Sequence, residues 1–228
     1  MEIIAFKYGE SLFSTEKIFY KDNRHEFVAF SWLFYLIKNS GKFILVDTGF
    51  STEMFIERYK IENYENPLKI LKNNNIQPEE ITDLIITHAH FDHVGNISKF
   101  PHASIFIQSD ELKGLSKHMD TSRFGKQIVE FNDKLEIGNT GISVVKIGGH
   151  TSGSSIVKVN SAEGDIIITG DEAYLYENIV KDIPIGTYHN AEKNRLFIKS
   201  LNKSIKNVFT FHDPSIVPAK EQYKIFSF

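Results

Sequence analysis

Aromatic and β-branched residues crowd into 28–38 (VAFSWLFYLIK) and 42–46 (KFILV), and Asn39-Ser40-Gly41 separates the two runs. Such runs split by a short polar break with a glycine predict a strand–turn–strand hairpin. The second strand ends at Asp47-Thr48-Gly49. Ser51 or Thr52 then stands where it can cap a short helix over 53–60, and Asn66 before Pro67 makes a cap and first-turn pair for a helix running to Lys72. ITDLIIT (81–87) has the β-branched core of a buried strand and runs directly into HAHFDHVGN, with a helix start near Asp92 or His93. ASIFIQ (103–108), ISVVKI (142–147), SSIVKV (154–159) and DIIITG (165–170) predict further strands, the last two forming a hairpin through Ala162-Glu163-Gly164. Leu196, Phe197, Leu201 and Ile205 recur at helical spacing in 191–206 behind Asn190 as cap, and NVFTF (207–211) is one more strand before His212.

Strands and helices occur in both halves, in short units. No linker, repeat or block of like charge divides the 228 residues, which predicts one domain over 1–228. The mixture of hairpins and strand–helix connections predicts an α/β architecture. Two packed sheets with helices outside, four layers in all, is the preferred arrangement, and a single mixed sheet is the other one the pattern allows. No apolar run approaches the roughly 20 residues of a membrane span, and MEIIAFKYGESLF lacks the cationic start and apolar stretch of a secretory signal. The expectation is a cytoplasmic protein with no membrane partner. A formal net charge of −3 with scattered basic residues argues against a broad nucleic-acid-binding surface.

Composition narrows the chemistry: the chain has nine histidines and no cysteine. Thiolate nucleophiles, disulfides and Cys-type zinc sites are excluded, so metal chemistry must use nitrogen and oxygen ligands. His88, His90, Asp92 and His93 stand within six positions in H-A-H-F-D-H. Alternate residues of an extended segment point the same way, so His88 and His90 can share one metal. As the chain turns into a helix, Asp92 and His93 become available to a second. His150, Asp171 and His212 repeat one theme, a polar side chain where a predicted strand runs out. His25, His102, His118 and His189 have no partner pattern and read as surface or structural.

The ordered set H-x-H-x-D-H, later His, Asp and final His resembles the pattern of the metallo-β-lactamase superfamily, with Asp47 matching the Asp of that family's V-D-T-G turn. The resemblance spans about residues 28–213. It implies an αββα sandwich with the site on the open edge between the sheets. It assigns His88, His90 and His150 to one metal, Asp92, His93 and His212 to the other, and Asp171 to a bridge between them. Five imidazoles and two carboxylates suit two zinc ions, with iron, manganese or cobalt as substitutes. His90, in place of a glutamate, argues against the flavodiiron branch. Asp47 reads as a group that orients the ligand loop by hydrogen bonds.

Tyr174 follows Asp171 by three positions, and this Asp-x-x-Tyr, with F-H-D-P at His212 and Phe91 inside the metal string, resembles the N-acyl-homoserine lactonases. Glyoxalase II enzymes share the metal residues but typically lack that tyrosine, and the absence of cysteine separates the chain from β-lactamases with a Cys ligand. The resemblance implies a dizinc hydrolase that opens a small-molecule lactone, with Tyr174 stabilising the oxyanion and Asp92 transferring a proton. A glyoxalase II-type thioesterase, a phosphodiesterase and a non-catalytic metal-binding sensor are the alternatives. Only 41 positions separate Asp47 from His88, a shorter stretch than the lid-bearing segment of the familiar lactonases. Phe91 is a pocket candidate, while Phe50, Phe55 and Tyr59 read equally as an apolar pocket wall and as core-facing helix residues. An aromatic content of 13% leaves room for a homodimer interface.

Overall fold

A strand that is apolar at nearly every position needs cover on both faces, and the chain supplies it by stacking layers. The computed structural model describes residues 1–162, 164–201 and 207–228. β1 (Glu2–Ser14), β2 (Phe27–Asn39), β3 (Lys42–Val46), β4 (Asp83–Ile86), β5 (Ser104–Gln108) and β6 (Ile128–Phe131) form one sheet in that order. β7 (Lys134–Glu136), β8 (Ile142–Lys146), β9 (Ser155–Val159), β10 (Ile166–Ile168) and β11 (Val208–Phe209) form a second, and β12 (Tyr223–Ser227) returns to the first beside β1. β1 to β3 pair antiparallel, whereas β3 to β6 run parallel.

Alternation along β2 and its neighbours sends side chains into two cores. Tyr35, Ile37, Ile44, Val46 and Ile85 face Ile142, Val144, Val157, Val159 and Ile168 of the second sheet. Phe34, Leu36, Leu45, Leu84 and Ile86 point the other way, toward α3 (Pro67–Asn73) and its neighbours. Burying each such side chain contributes about 1.5–3 kcal/mol. The outer face of the second sheet packs Ile156 and Val208 on Ile179 of α6 (Tyr176–Val180) and on Phe197 and Ile198 of α7 (Ala191–Ser200). The architecture is the expected αββα sandwich of four layers. Four further helices complete it: α1 (Thr15–Ile18), α2 (Glu53–Arg58), α4 (Phe91–Val94) and α5 (Ser109–Leu115). Among the described residues no helix is long and apolar enough to cross a membrane.

The β2–β3 hairpin turns at Ser40 (φ 52°) and Gly41 (φ 76°), the two positive φ values that a tight two-residue turn requires. Asn66 caps α3 by accepting from Leu68 N at 2.9 Å, a contact whose loss costs about 1 kcal/mol. Thr52 precedes α2 without a side-chain cap. Asn190 caps α7 through Lys193 N, but the helix ends at Ser200, and the rest of the predicted 191–206 helix lies outside the described residues. β9 and β10 pair as expected, with Glu163 of their turn also outside the described residues. β1, β6, β7 and β12, and helices α1, α5 and α6, are additions to the sequence reading.

Candidate metal centre and its cavity

β4 delivers the metal string. It ends at Ile86, and His88 and His90 follow on extended chain before α4 begins at Phe91, carrying Asp92 and His93 in its single turn. The other candidates come from elsewhere: His150 before β9, Asp171 just after β10, and His212 just after β11. All seven side chains converge. His90 Nδ1 lies 2.9 Å from both His88 Nε2 and His150 Nε2, and Asp171 Oδ2 lies 3.6 and 3.4 Å from those same two nitrogens. Asp171 Oδ1 turns the other way, 3.2 Å from His93 Nε2 and 3.1 Å from His212 Nε2, with Asp92 Oδ2 3.4 Å from His93 Nε2. The atoms thus form two groups, His88–His90–His150–Asp171 and Asp92–His93–His212–Asp171, sharing one carboxylate.

Ligand atoms about 2.0–2.1 Å from a tetrahedral ion stand roughly 3.3 Å apart, and the contacts described within each group run from 2.9 to 3.9 Å. Two further observations fit a pair of divalent cations. His93 Nε2 is fully buried without a hydrogen-bond partner, an arrangement that costs free energy unless something else engages it. The second ring nitrogen of four imidazoles is held from behind. His93 Nδ1 donates to Asp47 Oδ2 at 2.7 Å, His150 Nδ1 to the Thr187 carbonyl at 2.8 Å, and His212 Nδ1 to the Ser31 carbonyl at 2.9 Å. The Thr87 hydroxyl donates to Asp47 Oδ2 at 2.6 Å, leaving its oxygen to accept from His88 Nδ1 at 3.2 Å. Each of these contacts fixes a tautomer with the free lone pair on Nε2, facing the centre. His90 differs, presenting Nδ1 from an exposed position.

Burial alone would lower the His93 pKa, but the carboxylates of Asp92, Asp171 and Asp47 raise it well above its ordinary value, a pull that a cation held among them would replace. Burial pushes the His88 imidazolium pKa well below its ordinary value and that of His150 down to about 4, so both rings are neutral, the form in which an imidazole can ligate a metal. Burial alone would raise Asp171, but His93, His212 and His88 hold its carboxyl well below the usual range. Asp47 is fully buried and adopts a left-handed φ of 59°. It also accepts from Thr87 N at 2.8 Å, so it binds both ends of the string rather than reaching the centre.

A cavity of about 230 Å³ opens over the ligands. Phe13, Phe30, Trp32, Tyr59 and Phe91 make its apolar wall, and Tyr174, Thr187 and Lys17 complete it. Phe30 stacks on His212 with ring centroids 4.0 Å apart. Tyr174 Oη lies 3.4 Å from His150 Nδ1, and burial raises its pKa well above the ordinary phenol value, keeping it protonated. Of the pocket candidates, Phe91 and Tyr59 line the cavity. Phe50 and Phe55 do not. Phe50 is fully buried, and both stand behind Phe91, at 5.0 and 4.0 Å between ring centroids.

The sequence reading missed two buried glutamates. Glu172 accepts from Gly149 N (2.9 Å), His150 N (3.1 Å) and Asn194 Nδ2 (2.7 Å), and so holds the His150 loop. Glu111 accepts from Ala89 N (2.8 Å), Gly153 N (2.8 Å) and the Thr151 hydroxyl (2.6 Å), tying the His88–His90 segment to that same loop. A carboxylate directly after Asp171 was a usable signal for Glu172; nothing local distinguishes Glu111.

Comparison with known proteins matches residues 33–206 to the family model described as the metallo-beta-lactamase superfamily. The chain is 26% identical over 201 residues to an N-acyl homoserine lactonase of a Bacillus species, covering 78% of this chain and 80% of that protein. It is 28% identical over 153 residues to a probable metallo-hydrolase of Methanocaldococcus jannaschii, covering 67% of each. Among solved structures, a quorum-quenching N-acyl homoserine lactone lactonase superposes with a TM-score of 0.79 at 20% identity, over 96% of this chain and 95% of that one. An N-acyl homoserine lactone hydrolase with the product N-hexanoyl-L-homoserine at its catalytic metal centre gives 0.77 at 20% identity, over 94% of each.

Proposed function

The chain belongs to the metallo-beta-lactamase superfamily and is a metal-dependent hydrolase acting on ester bonds; from that premise we propose that the ester it opens is a lactone ring. Its similarity to N-acyl homoserine lactonases supports the substrate class. Within the site, Tyr174 carries the reading, as a protonated phenol in the cavity beside the shared Asp171 carboxylate.

Two zinc ions are the cofactors that the nitrogen-rich ligand set favours. His88, His90 and His150 would hold one ion with Asp171 Oδ2, and Asp92, His93 and His212 the other with Asp171 Oδ1. Bound there, the pair supplies Lewis acidity and a water ionisable near neutral pH. The residues do the rest. The aromatic wall of Trp32, Tyr59 and Phe91 seats the apolar face of the substrate and excludes water. Tyr174 Oη donates a hydrogen bond to the lactone carbonyl oxygen and strengthens it as negative charge develops. As the attacking water bonds to the carbonyl carbon, Asp92, held ionised against the effect of burial by His93, takes the proton that the water gives up and hands it to the ring alkoxide when the C–O bond breaks, so that water has been added across the ester.

Measuring the metal content of the purified protein, then kcat/KM on N-acyl homoserine lactones, S-lactoylglutathione and a bis-nitrophenyl phosphate, tests the reading. The expected result is about two ions per chain and a lactone preference of at least about tenfold. A higher kcat/KM on the thioester or the phosphodiester overturns it.

A further inference from the structure

The metal cavity, at about 230 Å³, is smaller than the roughly 300–1,000 Å³ typical of small-molecule pockets. It does not end there. A groove of about 670 Å³ adjoins it, and the two share Phe13, Lys17 and Tyr59 in their walls. A substrate longer than the metal cavity would pass Lys17 on its way into the groove.

Lys17 is the only lysine or arginine lining the metal cavity among the described residues. Its Nζ sits 5.4 Å from the centroid of the Phe13 ring, on the boundary of both spaces, and makes no salt bridge with a described residue. The groove adds Arg58 and Lys60 to the same mouth, against Glu10 and Glu62. Glu10 is already bound to Lys7 at 2.6 Å. The mouth is thus locally cationic on a chain whose net charge is −3, an arrangement that draws and retains anions.

The backbone under Lys17 is held in place relative to the metal ligands. The Lys17 carbonyl accepts from Thr187 N (3.0 Å) and Thr187 Oγ1 (2.9 Å), while the Thr187 carbonyl accepts from His150 Nδ1. Asn178 Nδ2 donates to the Ile18 carbonyl (2.9 Å) and Tyr20 N to the Pro184 carbonyl (2.8 Å). Gly186 permits this contact, because a Cβ there would stand 2.1 Å from the Glu16 carbonyl oxygen. One residue therefore links the ligand His150 to α1 and its lysine.

We propose that Lys17 is a specificity-determining residue that binds an anionic group on the substrate, so that the lactones this site prefers carry a carboxylate on the arm directed away from the ring. The ring in this statement rests on the lactone reading above; the anion rests on Lys17 and the mouth.

The test reads binding rather than turnover. Trp32, the single tryptophan of the chain, lines the cavity and reports occupancy by its fluorescence. Metal-loaded protein is titrated with two non-hydrolysable lactams of equal chain length, N-adipoyl homoserine lactam, which ends in a carboxylate, and neutral N-hexanoyl homoserine lactam. The wild type is expected to bind the adipoyl probe about tenfold more tightly. Lys17→Met brings the two dissociation constants together, and Lys17→Arg keeps them apart, which separates charge recognition from a folding defect. Equal binding of the two probes by the wild type, binding of neither, or a preference that survives Lys17→Met overturns the proposal. A preserved preference in a protein that hydrolyses no lactone would instead overturn the proposed reaction and leave anion recognition standing.

Discussion

The floor and the mouth of the cavity are held by different means. On the floor, hydrogen bonds hold four of the five histidine rings from behind, and buried carboxylates (Asp47, Glu111, Glu172) hold the loops that carry them. At the mouth, contacts are between rings: Tyr59 stacks on Phe91 at 5.1 Å, Phe13 on Phe30 at 4.4 Å, and Trp32 meets Tyr59 at 5.5 Å. Hydrogen bonds are directional and leave one arrangement, whereas apolar contacts tolerate changes of shape. The floor is therefore built to keep a geometry, and the mouth is where substrate preference can change without disturbing the metal centre.

Substitutions can break this contrast or sharpen it. The largest effect is expected at Asp171, the carboxylate common to both groups. Asp171→Asn should lower the metal content from about two ions per chain to one or fewer and abolish hydrolysis, read by elemental analysis alongside turnover. Retention of two ions would mean that the floor does not depend on its shared ligand. Tyr174→Phe should leave metal content intact and reduce kcat by about 10–10³-fold, and a wild-type rate would remove its oxyanion role. Glu172→Gln, which touches no proposed metal-binding atom, is expected to weaken metal affinity by about 10–100-fold, measured by competition with a chelator. At the mouth, Tyr59→Leu should shift KM by only a few-fold with metal content unchanged. If that variant lost metal, the division between floor and mouth would fail.

The same contrast explains what the sequence discloses. The floor is legible because its densest part is local: four ligand-capable side chains within six residues at the end of an apolar strand, with the others at strand ends. The β2–β3 hairpin is legible because Ser40-Gly41 between two apolar runs has few other solutions. β1 is not, since EIIAFKYGESLFS shows neither a period of two nor one of 3.6. Both of its faces are covered, and Lys7 is buried against Glu10. The mouth is drawn from β1, α1, β2, α4 and the end of α2, whose proximity is a product of topology. Phe50, Phe55 and Tyr59 have equal claims on paper, and only the way α2 and the residues on either side of it pack puts Tyr59 in the cavity and the other two behind Phe91.

The string His88–His90–Asp92–His93 also has a life outside the native state. An unfolded chain keeps these four side chains within six residues, able to chelate an ion before any sheet exists, whereas His150, Asp171 and His212 join only once both sheets have docked. To the extent that cations also bind the unfolded string, loading raises folding stability by less than the affinity of the finished centre alone would give. The long sequence separations mean that completing the site depends on non-local contacts, the kind that slow folding. Refolding in the presence of metal would then set capture by a local chelate against the closing of the sandwich around it.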